Sequence, residues 1–181
     1  MKTPGSGERE SVFAWVNLQQ AQRVVQALVE ERLQAATGLS WPEFELLWRL
    51  QAATDEPLQM SDIAEQLIGS PSGITRMADR LEAGGLIVRH TPPDNRRVVH
   101  ARLTARGTTV VERSRRAFGE ALDEAFSTHL SDADVAALRR LMRRLLEGNG
   151  AWVESRCDPK FGASGPAKAP AEPARGGRRR Y

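Results

Sequence analysis

The chain has 181 residues, enough for one domain with a sizeable core plus tails. Its 40% apolar and 27% charged residues suit an ordinary water-soluble fold. No run of eighteen apolar residues offers a membrane span, and the opening MKTPGSGERE lacks the apolar stretch of a secretory signal. Cys157 is the one cysteine, which excludes an internal disulfide and suits a cytoplasmic setting. The net charge is +3 and the isoelectric point about 9.6, but the charge is unevenly placed. Residues 158–181 hold six basic residues against Asp158 and Glu172, so the remainder is close to neutral. Within that remainder, residues 70–106 carry seven arginines against Asp79, Glu82 and Asp94. A near-neutral body with one positive segment points to a local anionic partner.

Residues 1–10 read as disordered. From Ser11 to about Ala36, Val12, Val16, Val25, Val29 and Leu33 recur at helical spacing and Gly38 ends the pattern, which predicts a long amphipathic helix. Ser40 and Glu43 form a capping-box pair for a second helix, with Leu39 and Phe44 at the staple positions and a stripe running to about Ala53. TDEPL reads as a turn, and Ser61 as the cap of a short third helix, SDIAEQL. After the tight connection IGS, Ser70 is an N-cap with Pro71 at the first helical position. Ile74, Met77, Ala78 and Leu81 give this fourth helix an inward face, and Gly84-Gly85 close it, with Leu86 folding back.

Residues 86–91 and 97–103 are β-rich runs flanking PPDN and Arg96, the pattern of a β-hairpin. Thr104 caps a fifth helix reaching about His129. Ser131, with Asp134 at N3, caps a sixth that Gly148 stops. Residues 158–181 are rich in Pro, Gly, Ala and Arg and read as a disordered basic tail, which serves either unspecific DNA attraction or solubility. The expected class is mainly α: six helices and one β-hairpin wing, a winged helix-turn-helix over residues 39–104, framed by helices over 11–38 and 105–148.

The helix opening SPSGITRMADRLEAGGL suits entry into a DNA major groove by its N-terminal end. Ser70, Ser72, Gly73 and Thr75 make that leading turn narrow and polar. Arg76 is placed to reach guanine in bidentate fashion, and Arg80, one turn on, to hold phosphate. In the hairpin tip, Asp94, Asn95, Arg96 and Arg97 suit a minor groove, with Asp94 pairing an arginine to fix its direction.

These same residues resemble the signature of MarR-family transcription regulators, in which a recognition helix S-x-S-x-(V/I/T)-T-R-x-x-x-x-L-E-x-x-G-L runs into a wing D-R-R-x-x-x-x-x-L-T. The match is strong over 61–104, and the helix order agrees over about 11–148. The resemblance implies an obligate homodimer built from the first and last two helices, reading an inverted-repeat operator in double-stranded DNA. It also implies DNA contacts from Ser70, Ser72, Thr75, Arg76 and Arg80 on the helix and from Arg96 and Arg97 on the wing. One departure stands out: the family's wing aspartate position is Asn95 here and the acid has moved to Asp94, so either the turn is shifted or Asn95 does the structural work.

The resemblance further implies an effector pocket between the dimerisation and winged lobes, often for aromatic or phenolic anions. Trp15, Trp41, Trp48 and Arg49, with Arg23 as a second anion partner, lie on the helices that would line it. The expected function is therefore a homodimeric repressor of a palindromic operator, released by a small aromatic or anionic ligand. The alternatives are a thiol-redox regulator of the same family, using Cys157, and a winged-helix protein-interaction module that does not bind DNA. No cofactor or metal is expected: His90 and His100 face each other across the hairpin without a carboxylate or cysteine cluster. No enzymatic constellation appears, since GSPSG has proline where a nucleophile elbow requires serine.

Overall fold

A computed structural model of the chain describes residues 6–53, 57–96 and 98–157. The elements run α1 (Ser6–Thr37), α2 (Trp41–Ala52), β1 (Leu58–Gln59), α3 (Met60–Gln66), α4 (Pro71–Ala83), β2 (Ile87–His90), β3 (His100–Leu103), α5 (Ala105–Leu122), a π-helical turn (Asp123–Ser127), α6 (Asp132–Gly148) and α7 (Glu154–Cys157). This is the expected helical winged helix-turn-helix, enlarged by three features. β1 adds a third strand, giving an antiparallel sheet in the order β1-β3-β2. The fifth helix passes into a π turn instead of running straight to His129. A seventh, single-turn helix follows α6.

The expected caps form where polar side chains reach free amides. The Ser40 amide and hydroxyl both donate to Glu43, at 3.0 and 2.8 Å. Ser70 accepts from the Gly73 amide, Thr104 from Gly107 and Ser131 from Asp134. Asp134 in return accepts from the Ser131 amide and hydroxyl, which hold its carboxyl below the ordinary aspartate range.

Several boundaries differ from the sequence expectation; the hairpin strands are shorter than 86–91 and 97–103, spanning Ile87–His90 and His100–Leu103. α1 begins at Ser6, so residues 6–10, expected to be disordered, are helical, while 1–5 and the tail over 158–181 lie outside the described residues. Ser61 is not a cap: the Met60 amide pairs with the Val99 carbonyl at 2.8 Å, so α3 starts one residue earlier with Gln59 at the cap. Gly85 alone supplies positive φ (68°) after α4. The Leu86 amide then reaches Leu81 and the Gly85 amide Glu82, a Schellman closure with Gly84 still right-handed. α6 runs through Gly148 and is closed by Gly150 (φ 64°).

The core sits between α1, α2 and α5 above and the sheet with α3 and α4 below. Leu33, Phe44, Leu46, Leu47, Ile63, Ile87 and Val111 are fully buried. Trp41, Phe44, Trp48 and Phe118 form one aromatic cluster with centroids 5.1–5.8 Å apart. α1 is fastened to α5 by the Thr37–Ser114 hydroxyl contact (2.9 Å) and by Arg113 donating to the Ala36 carbonyl (2.6 Å), and to the π-helical turn by the Arg32–Glu124 pair at the surface. No residue of α6 is fully buried; Leu138, Met142 and Leu146 are half-buried. Among the described residues, no helix is long and apolar enough to cross a membrane.

Candidate nucleic-acid interface

Ser70, Ser72, Thr75 and Arg76 all lie exposed on the first turns of α4, and the opposite face, Ile74, Met77, Ala78 and Leu81, is buried. The tip is ordered by its own hydroxyls. Ser70 accepts from Gly73 at 3.2 Å, and Thr75 donates back to the Pro71 carbonyl at 3.0 Å. Among the described residues, Arg76 enters no ion pair. Its guanidinium is available beyond the hydroxyl tip.

Arg80, expected to hold phosphate, is exposed and also has a carboxylate partner within the chain. It donates to Glu43 through Nε and Nη2, at 3.2 and 3.1 Å, tying the recognition helix to the start of α2. Partial burial disfavours the charge on Glu43. The Ser40 amide, the Ser40 hydroxyl and Arg80 outweigh that effect and hold its carboxyl below the usual glutamate range. A carboxylate with a depressed folded-state pKa contributes stability that is complete above its unfolded value and lost as pH falls through the folded one. Thermal melts from pH 6 to 3 are therefore expected to show a steeper acid loss for the native chain than for Glu43→Gln.

The wing is braced from beneath. Arg89 on β2 bonds Glu82 (2.6 Å) and Asp79 (2.7 Å), both on α4. Glu82 also accepts the Arg89 amide at 2.9 Å. The bond from Glu82, then the one from Asp79, raises the Arg89 pKa, while Arg89 holds the Glu82 carboxyl down. Of the seven arginines in the positive segment, Arg80, still exposed, and Arg89, half-buried, are thus paired with carboxylates of this chain. Among the described residues, Arg76, Arg96 and Arg102 make no ion pair, and all three are exposed.

At the wing tip, Asp94, Asn95 and Arg96 are exposed, and Arg97 lies outside the described residues. The Asn95 amide donates to Pro92 and its carbonyl accepts from Val98, both at 3.2 Å, so the turn is closed through Asn95. Among the described residues, Asp94 has no ion-pair partner. His90 sits opposite His100 in the β2–β3 register. Among the described residues, no three His, Cys, Asp or Glu side chains gather into a metal-binding group.

A cavity of about 760 Å³ lies between the helical lobe and the winged lobe. Its walls come from α1 (Leu18, Val25, Val29), α2 (Trp41, Glu45), α4 (Ile74, Met77), α5 (Phe118, Leu122) and α6 (Leu138, Met142). None of the residues expected to bind an effector, Trp15, Arg23, Trp48 and Arg49, lines it. Trp15 and Arg23 point to solvent from α1. Trp48 is in the aromatic core, and Arg49 is buried against Glu45 (2.6 Å) and Gln66 (3.4 Å). Trp41 is the one expected aromatic that reaches the cavity. Among the described residues, the wall contains no lysine or arginine; its charged or amide side chains are Gln22, Gln26 and Glu45. Among the described residues, the nearest expected countercharge, Arg49, is paired with Glu45 and does not line the cavity. The signal for these wall residues is the inward stripe of α1 and α4, which in the sequence reads as ordinary core.

A polar helix tip carrying an available arginine, with a braced basic wing beside it, defines a winged helix-turn-helix DNA-binding protein. The MarR family profile matches residues 39–99. The chain is 30% identical to the HTH-type transcriptional regulator MhqR of Bacillus subtilis over 108 residues, covering 60% of this chain and 72% of that one. Two solved structures share the fold. Sco3205, a MarR-family regulator from Streptomyces coelicolor solved with DNA, has a TM-score of 0.72 at 23% identity and covers 82% of this chain and 91% of its own. The organohalide-sensing regulator RdhR, in its 2,4-dichlorophenol-bound form, has a TM-score of 0.69 at 16% identity, over 82% and 87%. The chain belongs to the MarR family of transcription regulators.

Proposed function

We propose that the chain acts as a homodimeric repressor that occupies a palindromic operator and leaves it when an effector fills the cavity. The observation that carries this reading is Arg76, available at the end of a hydroxyl-lined helix tip whose wing is braced through Arg89. In a two-fold dimer, two such tips enter major grooves about one helical turn apart. Arg96 and Arg97, with Asp94 and Asn95 shaping the tip, grip the adjacent minor groove. Ser70, Ser72 and Thr75 hold the helix end against phosphate and base edges, and Arg80 holds the helix to α2.

A second copy is supported by two uncovered faces. α6 leaves Leu141 and Leu145 half exposed, and α1 leaves Val12, Phe13, Trp15 and Val16 exposed. The effector reading is supported by Ile74 and Met77, which belong to the recognition helix and also wall the cavity, so an occupant touches the element that reads DNA. RdhR offers the parallel of a chlorinated phenol bound to the same fold. The lining here favours an uncharged, mainly apolar molecule with a donor for Glu45 or a glutamine. An effector releases DNA only if it binds the DNA-incompetent lobe spacing more tightly.

The test is selection of duplexes from a random library by the purified protein. An inverted repeat is expected. Arg76→Ala should relax the sequence preference and cost about 1–3 kcal/mol on the selected site, while Arg96→Ala should weaken all sequences evenly. Titrating uncharged chlorinated phenols into the complex should quench Trp41 and release the duplex together. Recovery of no DNA sequence would leave only the protein-interaction alternative.

A further inference from the structure

The carboxylate of Glu43 is held from two sides. Its Oε2 accepts from the Ser40 amide at 3.0 Å and from the Ser40 hydroxyl at 2.8 Å. Its Oε1 accepts from Arg80 Nε and Nη2, at 3.2 and 3.1 Å. The two oxygens therefore have separate tasks. One closes the start of α2, and the other holds a cation of the recognition helix. The second bond can be given up without breaking the first.

Arg80 and Arg89 both pair with acids, but not alike. Arg89 bonds two carboxylates of α4, and its side chain is 25% exposed. Arg80 bonds one, through a single oxygen, and its side chain is 63% exposed. An exposed pair of this kind holds by a factor of only about two to five. Arg80 also stands where a duplex would meet it. Ser72, Arg76 and Arg80 follow one another at four-residue spacing on the exposed face of α4, opposite Ile74, Met77, Ala78 and Leu81. A helix that enters a groove with Ser72 and Arg76 leading brings Arg80 to the phosphates bordering that groove. A duplex phosphate acts with the field of the whole polyanion and frees a condensed counterion on contact, a gain that a lone carboxylate lacks.

We propose that Glu43 restrains Arg80 in the free chain and surrenders it to a DNA phosphate when α4 enters the groove. This inference rests on the DNA-binding reading above, and it adds Glu43 as a positioning residue that sets how readily the phosphate grip is released. In the free chain the pair ties α4 to α2; on the duplex that tie is exchanged, while the Ser40 bonds to Oε2 keep α2 closed. The exchange costs the same on every sequence, because a phosphate carries no sequence information.

The experiment compares four proteins: the native chain, Glu43→Gln, Arg80→Ala and the double variant. Each is titrated by fluorescence anisotropy over a range of salt, on the selected duplex and on a random duplex of the same length. Glu43→Gln is the discriminating variant. Its amide oxygen can still accept from Ser40, since Glu and Gln both serve in capping boxes, but it offers Arg80 no anion. It is expected to bind both duplexes about two- to five-fold tighter per chain, the strength of the lost restraint. Arg80→Ala should bind both more weakly, with a slope of log K against log salt shallower by about 0.9 per chain. The double variant should bind as Arg80→Ala does, because the restraint has nothing left to hold. An unchanged slope in Arg80→Ala overturns the proposal, since Arg80 would then stay on Glu43 when DNA is bound. Glu43→Gln binding no tighter than the native chain overturns it as well; weaker binding would make the pair a fixed support of the helix. A double variant that binds tighter than Arg80→Ala also overturns it, because Glu43 would then simply repel the duplex. In each of these cases selective binding by the native chain stands. Failure of the native chain to bind either duplex removes the DNA-binding reading itself, and this proposal with it.

Discussion

Gly107→Ala is expected to destabilise the protein by about 3–5 kcal/mol and to abolish operator binding at ordinary temperature. Gly107 is the third residue of α5, and its amide donates to the capping hydroxyl of Thr104 at 2.9 Å. That hydroxyl also donates to the Gly85 carbonyl at 2.7 Å, and the Thr104 amide bonds the Leu86 carbonyl at 3.0 Å. The end of the recognition helix, the last strand of the wing and the first turn of α5 therefore meet at one point. A methyl group on Gly107 would land on the Leu86 carbonyl oxygen, with the Leu86 carbonyl carbon 3.0 Å and Leu103 Cδ2 3.3 Å away. The first obstacle is backbone, so no rotamer change relieves it. Either α5 lifts from the wing or the closing turn of α4 unwinds, and both displace Arg76 and Arg89 relative to each other. Melting should drop by roughly 10 °C or more for a chain of this size. Gly148→Ala is the control: a Cβ there meets nothing within 4 Å, and alanine favours the helix interior. Equal melting of the two variants would mean that this junction does not limit stability.

The features legible in the sequence are those decided within a few residues. Ser40 with Glu43, Ser70, Thr104 and Ser131 with Asp134 satisfy amides on their own helix, and each cap forms where the residues predict it. The hairpin register, with His90 across from His100, follows from alternation. What escaped depends on partners far along the chain. Leu58–Gln59 is too short to show a period and becomes a strand only because β3 offers a free edge. Ser61 looks like a cap until the Val99 carbonyl takes the Met60 amide. Arg80 reads as a phosphate contact and Arg49 as an effector contact because nothing local marks Glu43 or Gln66 as their neighbours. The candidate DNA tip was legible for the same reason as the caps, since exposure of Ser72, Thr75 and Arg76 follows from the apolar stripe on the opposite face. The cavity wall was not: it is drawn from five helices and looks, in each, like core.

Glutamates at Leu141 and Leu145 together are expected to split the proposed dimer and weaken operator binding by about 10²- to 10⁴-fold, the avidity lost when one recognition helix must bind alone. α6 is a 17-residue helix with a reciprocal cap and an Arg143–Glu147 pair at 2.8 Å, and its residues Ala, Leu, Arg and Met favour helix. Propensity and caps leave a helix of this length marginal in water, and tertiary burial of an apolar face usually supplies the rest. Within one chain that burial is partial: Leu138, Met142 and Leu146 are half-buried, but Leu141 and Leu145 are 50% and 49% exposed. The first half of α1 has the same deficit at Val12, Phe13, Trp15 and Val16. Covering such side chains contributes about 1.5–3 kcal/mol each, enough in sum for a stable two-fold interface. The substitutions introduce charge at that interface and touch nothing in the core around Phe44 and Leu47, so the winged lobe should stay folded. Sedimentation should therefore show a monomer with native-like helical circular dichroism, and anisotropy a weak, half-site-like complex. A variant that sediments as a dimer would place the contact elsewhere, on the α1 face, where Trp15→Glu becomes the decisive substitution. A native chain that sediments as a monomer would exclude the paired arrangement altogether.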